Sequence, residues 1–477
     1  MKRLFLLLAV TLILNCCALR TFAADGWASM NGGTTGGYGG TVVTVTTASL
    51  FKSYVESTST YIVEVSGTIN LSSVGGKVNI RSNKTIRGVG TSPTIVGNLT
   101  FRDDNINVII ERLNITNPYP GDQYDGISIR DRIKNVLITH CTFYDCGDGC
   151  LDISEQSDFI TVSWCKFYYN DPAPAEDHRF VNLIGSDDGA TGDRGKLKVT
   201  FHHNWWAQRC RERMPRVRFG QVHIYNNYYG RADTLSFGNN YCIRPGIESQ
   251  LLVQNNYFYR VNKPIDSKET GALVQASGNY MFHCDNEIPG IGEDTVFTPP
   301  YFYILEYGPV MKNIVIAGAG ADGIEPAIPA IPTALTATAN ETSVLLDWDD
   351  NTEPDLRGYY VYRSTTSGSG YTKNTPSPIS NSVYTDNSVV YGTPYYYVIT
   401  SVSTLYRESE YSTEVLAIPR IYGDFEVNHV VDINDLGYLS DLWLINDCQA
   451  AELVDFNDDC TVNFIEFVAM AENWLTQ

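Results

Sequence analysis

Six short runs of alternating β-branched residues constrain this chain more than any other feature. Each is too short to bury its own apolar face, and they recur at a nearly regular interval. They start at Asn107 (NVIIERLNI), Asn135 (NVLITHCTF), Phe159 (FITVSWCKF), Leu197 (LKVTFHHNWW), Val222 (VHIYNNYY) and Leu251 (LLVQNNYF). Most successive runs are separated by twenty-odd residues, the length of one coil of a parallel β-solenoid, in which every coil covers the open edge of the last. Helical periodicity is almost absent from residue 25 to about residue 321. Asn204, Asn227, Asn256 and Asn279 each precede an aromatic at the same point of the pattern. Stacked at a coil corner, their amides would satisfy one another, so they are predicted to be structural.

The chain has 477 residues, 43% of them hydrophobic, enough for two or three domains. Lys2 and Arg3, an apolar run over 4–14 and a small-residue exit over 18–24 read as a signal peptide spanning 1–24. The protein is therefore expected to be secreted, either extracellular or associated with the cell surface. No other stretch is long and apolar enough to span a bilayer. Beyond the signal remain nine of the 11 cysteines, an odd number, so export permits disulfides but leaves at least one thiol free or bonded outside the chain. A formal net charge of -20 argues against a nucleic-acid partner.

Against that acidic background, Arg209, Arg211, Arg213, Arg216 and Arg218 fall within ten residues, flanked by His202, His203 and His223. Such a concentration suits an anionic ligand. Upstream, Asp148 and Asp152 lie four apart in GDGCLDIS, and Asp125 lies one coil earlier in YDGISI. Coil stacking brings Asp125 toward the pair. Carboxylates gathered at a surface call for a cation, and all-oxygen ligation favours calcium or magnesium.

Composition shifts to Ala, Ile and Pro over 322–332, a semi-rigid linker that ends the solenoid domain of 25–321. Residues 333–419 alternate like a small antiparallel sandwich and resemble a fibronectin type III module, with Trp348 and Tyr397 as its early Trp and late Tyr. Residues 420–477 hold two sets of oxygen-bearing side chains at the offsets of an EF-hand loop: Asp424, Glu426, Asn428, Asp432 and Asp435, then Asp455, Asn457, Asp459, Asn463 and Glu466. This duplicated segment resembles a dockerin, which implies calcium binding and a cohesin-type scaffold as partner. The sixth loop position, normally Gly, is His429 in one loop and Cys460 in the other, and a Cys448–Cys460 bridge could substitute for some of the metal's stabilisation.

The ordered motifs THCTF, DGCLDIS, DFITVSWCKF, VNLIG, VTFHHNWW, RMPRVRFG and VHIYNNYY, between residues 135 and 230, resemble the catalytic core of the pectate lyase family. The resemblance implies a right-handed parallel β-helix that uses calcium to cleave polygalacturonate by β-elimination. It places the calcium carboxylates at Asp125, Asp148 and Asp152, with Asp122 the nearest further candidate, the proton-abstracting base at Arg213 and a substrate-binding arginine at Arg218. Arg209, Arg211, Arg216 and Arg218 supply the cationic crowding such a base requires. Where the family carries a substrate-binding lysine before LIG, this chain has Phe180 after a longer loop, DPAPAEDHRF. Arg179, His178 or Lys166 would take its place, and His203 is a further candidate for substrate contact. Pectin lyases of the same fold, acting on methylated substrate, dispense with calcium; the three aspartates favour the calcium-dependent form. A polygalacturonase-type hydrolase is suggested by Asp187-Asp188 and Arg132-Ile133-Lys134, but these stand in the wrong order and no GHG motif accompanies them. A purely binding solenoid would not need Arg213 beside an acidic cluster.

Overall fold

The computed structural model describes residues 24–119, 125–173, 178–233, 237–447, 454–455 and 459–474. The expected signal peptide therefore lies almost wholly outside the described residues. Two compact units are formed, Met1–Pro326 and Ala327–Gln477.

The first unit is a right-handed parallel β-solenoid with one sheet of 17 strands and one of seven. The recurring runs build the larger sheet. Val108, Val136, Ile160, Val199, Val222, Leu251 and Val274 stand opposite one another on successive coils, and all seven are wholly buried. Each such side chain contributes about 1.5–3 kcal/mol over an exposed one, which explains why every coil repeats an apolar residue there, β-branched in all but Leu251. An aromatic column follows: Phe143, Phe167, Trp206, Tyr229 and Phe258 stack with successive centroids 5.0, 5.7, 4.5 and 4.5 Å apart. Between these columns runs the asparagine ladder. The Nδ2 of Asn204 donates to Asn227 Oδ1 at 3.1 Å, Asn227 to Asn256 at 2.9 Å, and Asn256 to Asn279 at 2.9 Å. The structural role read from the sequence for these asparagines holds.

Two helices depart from the expectation of an all-strand domain. Ala48–Val55, entered through the Thr47 side chain, turns Ala48, Phe51 and Val55 into the core of the first coils. Met311–Gly318 sets Met311 and Val315 against Trp205, Tyr228 and Tyr257. Both are only eight residues long, too short for their periodicity to stand out. None of the described helices is long and apolar enough to cross a membrane.

Disulfides do not staple the solenoid. Cys141, Cys146, Cys150, Cys165, Cys210 and Cys242 are free and buried, and Cys284 is free and half-buried. Packed as small apolar groups, they belong to the coil interior.

In the second unit, Thr336–Ala339, Val344–Asp347 and Val383–Asp386 form one antiparallel sheet. Thr372–Lys373, Leu356–Ser364, Tyr395–Ser403 and Val415–Ala417 form another. Val344, Leu346, Trp348, Tyr359, Val361, Tyr397 and Ile399 share one core between them. Further on, helices Ile433–Asp441 and Phe464–Asn473 each begin in a capping box, Asp432 with Asp435 and Asn463 with Glu466. Cys460 is disulfide-bonded; its expected partner, Cys448, lies outside the described residues.

Candidate active site

The seven-stranded sheet carries the site, because consecutive strands on it deliver the acidic and the basic residues in turn. Ile127–Ile129 pairs in register with Leu151–Ile153, so Asp125 and Asp148 lie just ahead of neighbouring strands and Asp152 lies opposite Ser128. Asp125 is 1% exposed. Its backbone carbonyl accepts the side-chain amides of Asn98 at 2.8 Å and Asn117 at 2.9 Å. Its Oδ2 accepts Ser128 Oγ at 2.6 Å and lies 3.5 Å from Arg130, while its Oδ1 is buried with no hydrogen-bond partner among the described residues. Asp152 Oδ1 accepts the Leu183 backbone N–H at 3.1 Å. Both oxygens converge over Gly149, where a Cβ would stand 3.0 Å from Asp152 Oδ1 and 3.3 Å from Asp125 Oδ1. A side chain at that point would fill the space the two carboxylates share.

This arrangement leaves the carboxylates electrostatically uncomfortable. Burial pushes Asp125 up to about 6, opposed by the Ser128 hydrogen bond and reinforced by the charge of Asp148. Burial also pushes Asp152 well above the usual carboxylate range, with Asp125 adding repulsion. An orphaned buried oxygen beside mutually repelling carboxylates fits a bound cation, and an all-carboxylate set suits calcium. Among the described residues, no three His, Cys, Asp or Glu side chains form a ready-made metal cage. Asp122 lies outside the described residues.

The basic half comes from the next two coils. Asn182–Ile184 pairs with Leu151–Ile153 on one side and Arg216–Val217 on the other. Arg213 precedes the last of these strands with φ at 60°. Its neighbours are neutralised: Arg209 pairs with Asp171 at 3.1 Å, Arg216 with Glu269 at 3.1 Å and Arg218 with Asp188 at 2.6 Å. The crowding by free cations expected from the sequence is thus reduced by these ion pairs. Among the described residues, the Arg213 guanidinium meets no carboxylate and makes no hydrogen bond, and its Nε is buried without a partner. Its positive charge acts on both Asp125 and Asp152. What it does touch is an aromatic ring: Cζ lies 4.3 Å from the centroid of Phe180.

Three of the residues expected to hold substrate are placed differently. Lys166 belongs to the 17-stranded sheet and lies over the Trp205 ring at 4.4 Å. His203 is 7% exposed, stacks on Trp164 at 4.2 Å, and faces His202 Nδ1 at 2.9 Å and Glu306 at 3.3 Å. Neither is brought to the arginine strand, because each follows a strand of the larger sheet. Arg218 does reach the site's sheet, but besides Asp188 it donates to the carbonyls of Gly185 at 3.1 Å and Ser186 at 3.2 Å, which ties it to a turn instead of leaving it open as a clamp. Arg179 stays with the cluster, its Nη1 3.4 Å from the Arg209 carbonyl. Sequence reasoning missed Asn98, Asn117, Ser128 and Arg130, which fix Asp125. Coil register was the available signal for Ser128, which lies opposite Asp152.

The C-terminal loops form a second candidate metal region. In the first, Asp424 accepts the N–H groups of Asn428 at 2.9 Å and His429 at 2.6 Å, and Asp435 accepts those of Phe425 at 2.6 Å and Glu426 at 3.1 Å. Asp432 caps the following helix; Glu426 accepts the Asn428 side-chain amide. In the second, Asp455 accepts Cys460 N–H at 2.7 Å, Asp459 accepts Thr461 N–H at 2.8 Å, and Asn463 and Glu466 form the cap. Asn457 lies outside the described residues. His429 and Cys460, at the position where Gly is usual, both adopt left-handed φ, 70° and 64°. Glu466 is wholly buried and, among the described residues, its Oε1 has no partner.

The pectate lyase family model matches residues 1–305. Similar proteins include a pectate trisaccharide-lyase of Thermotoga maritima, 30% identical over 332 residues that cover 63% of this chain and 87% of that protein. A pectate trisaccharide-lyase of Bacillus licheniformis is 32% identical over 329 residues, covering 65% and 89%. Among solved structures, a pectate lyase bound to a hexasaccharide superposes with a TM-score of 0.53 at 26% identity, over 62% of this chain and 96% of that one.

Proposed function

The chain belongs to the pectate lyase family, and on that premise we propose that it is a secreted, calcium-dependent enzyme cleaving α-1,4-linked polygalacturonate by β-elimination, releasing 4,5-unsaturated oligogalacturonides. The observation that carries this reading is a guanidinium, Arg213, standing without an ion pair among the described residues, beside carboxylates that repel one another. Asp125, Asp148 and Asp152 would hold calcium, whose charge draws electron density from a uronate carboxylate and acidifies the adjoining C–H. In its neutral guanidine form Arg213 accepts that proton while the C–O bond to the next sugar breaks, and the departing oxygen takes a proton from solvent. The guanidinium so formed returns its proton to solvent before the next turnover. Ser128, Asn98 and Asn117 hold Asp125 in place. Arg179 is assigned to a further uronate carboxylate, and Arg218 to holding the turn at Gly185 and Ser186.

Incubation with polygalacturonate, with calcium and then with chelator, tests the proposal through the ultraviolet absorbance of the unsaturated product. Calcium-dependent absorbance is expected; new reducing ends without it would sink the lyase assignment.

For residues 333–419 and 420–477, we infer a fibronectin type III-like spacer and a dockerin-like calcium module with a cohesin-type partner. Left-handed φ at His429 and Cys460 and the orphaned Glu466 Oε1 support calcium in these loops. Apolar side chains on both helices support a partner: Ile433 is 67% exposed, Phe464 70% and Val468 54%. Calcium-insensitive thermal unfolding of this unit would count against the assignment.

A further inference from the structure

We propose that Phe180 is a positioning residue that holds the Arg213 guanidinium clear of the aspartates. The proposal rests on reading Arg213 as the proton acceptor, and its argument comes from coil register. Ile127, Leu151 and Asn182 stand opposite one another on three successive coils. Asp125, Gly149 and Phe180, each two residues earlier, therefore occupy one place on those coils, and Arg213 follows on the fourth, where Phe180 bridges Glu212. Coils repeat at about 4.8 Å. Along this column the order is carboxylate, gap, ring and then Glu212, and the guanidinium of Arg213, the next residue, lies over the ring.

Each element of that order has a consequence. Arginine is long and forked, and within reach of several carboxylates it ordinarily settles into a bidentate pair. Arg209, Arg216 and Arg218 each pair with an acid, Asp171, Glu269 and Asp188. The Phe180 ring fills the intervening coil and offers the guanidinium a flat apolar face that attracts a cation without accepting its N–H groups. The N–H groups thus stay available to substrate. Phe180 is itself fixed: its carbonyl accepts Tyr169 Oη at 2.8 Å, and the His178 ring stands 5.2 Å from its own.

The test compares Phe180→Leu and Phe180→Tyr with the parent, all shown to be folded by thermal unfolding. Phe180→Leu is expected to lower kcat about tenfold with KM within about twofold, since a lost cation–π contact acts on the acceptor and not on substrate affinity. Phe180→Tyr, which keeps the ring, is expected to restore kcat. A raised KM with unchanged kcat would mean that the ring touches sugar instead, and overturns the proposal. A crystal structure of Phe180→Leu supplies the second readout: Arg213 paired with Asp125, Asp148 or Asp152 is expected, and Arg213 still standing clear of all three overturns the positioning role. Absence of unsaturated product from the parent enzyme would refute the lyase reading separately, while the crystal structure still decides the role of Phe180.

Discussion

The two sheets of the solenoid treat buried polar groups in opposite ways. Along the larger sheet, Asn204, Asn227 and Asn256 each hand their amide to the next coil, so the ladder leaves its own amides satisfied. Along the smaller sheet, Asp125 Oδ1 and Arg213 Nε are buried and unpartnered among the described residues, and the aspartates repel one another. One face is built for stability; the other withholds partners that a bound cation and substrate can supply.

That contrast can be broken most severely at the smaller sheet. Arg213→Lys should reduce turnover at least a thousandfold, because a general base contributes about 10²–10⁴-fold and lysine does not reproduce the guanidinium's geometry; thermal unfolding should scarcely move. An equal loss of stability would place Arg213 among the structural groups. The reverse result is expected from Asn227→Ala in the ladder. It removes one rung, taking the acceptor from the Asn204 backbone N–H and a donor from the Phe201 and Tyr225 carbonyls, and costs about 3 kcal/mol of stability in denaturant unfolding, with turnover of the folded fraction unchanged.

A pH experiment sharpens the comparison. Asp125 binds its proton more tightly folded, at about 6, than unfolded, near 3.8. The folded state therefore holds more protons across that window, and stability is full below the unfolded value and declines as pH rises through 6. In chelator, the protein should lose up to about 3 kcal/mol between pH 4 and 7, since a tenfold difference in proton affinity between the two states is worth about 1.36 kcal/mol. Asp125→Asn should flatten this decline, and calcium should reverse it in the parent; a profile indifferent to both would remove the electrostatic argument for a cation. The smallest effect belongs to Lys166→Ala. With Lys166 lying over Trp205 on the larger sheet, KM for polygalacturonate should change less than about twofold. A large rise would return Lys166 to the substrate.

What the sequence revealed follows the same division. Period and residue type were sufficient for the coils and the asparagine ladder, because stacking repeats them one residue to one; the aspartates stand opposite Gly149 and Ser128 instead of one another. Spacing identifies a coil but not the side of it, so Lys166 and His203 were assigned to a face they do not occupy. Ion pairs such as Arg218 with Asp188 join loops of irregular length and have no periodic signature. Phe180 looked like a missing lysine; only coil register shows what the ring contacts.

The seven unbonded thiols have a practical consequence. A solenoid that draws no cohesion from sulfur–sulfur bonds can mature in a reducing compartment, and added reductant should leave its unfolding unaltered. Cys460, bonded in the C-terminal unit, behaves otherwise. Redox conditions therefore provide a handle on one end of the molecule alone, by which the appended unit can be loosened while the enzyme to which it is joined stays intact.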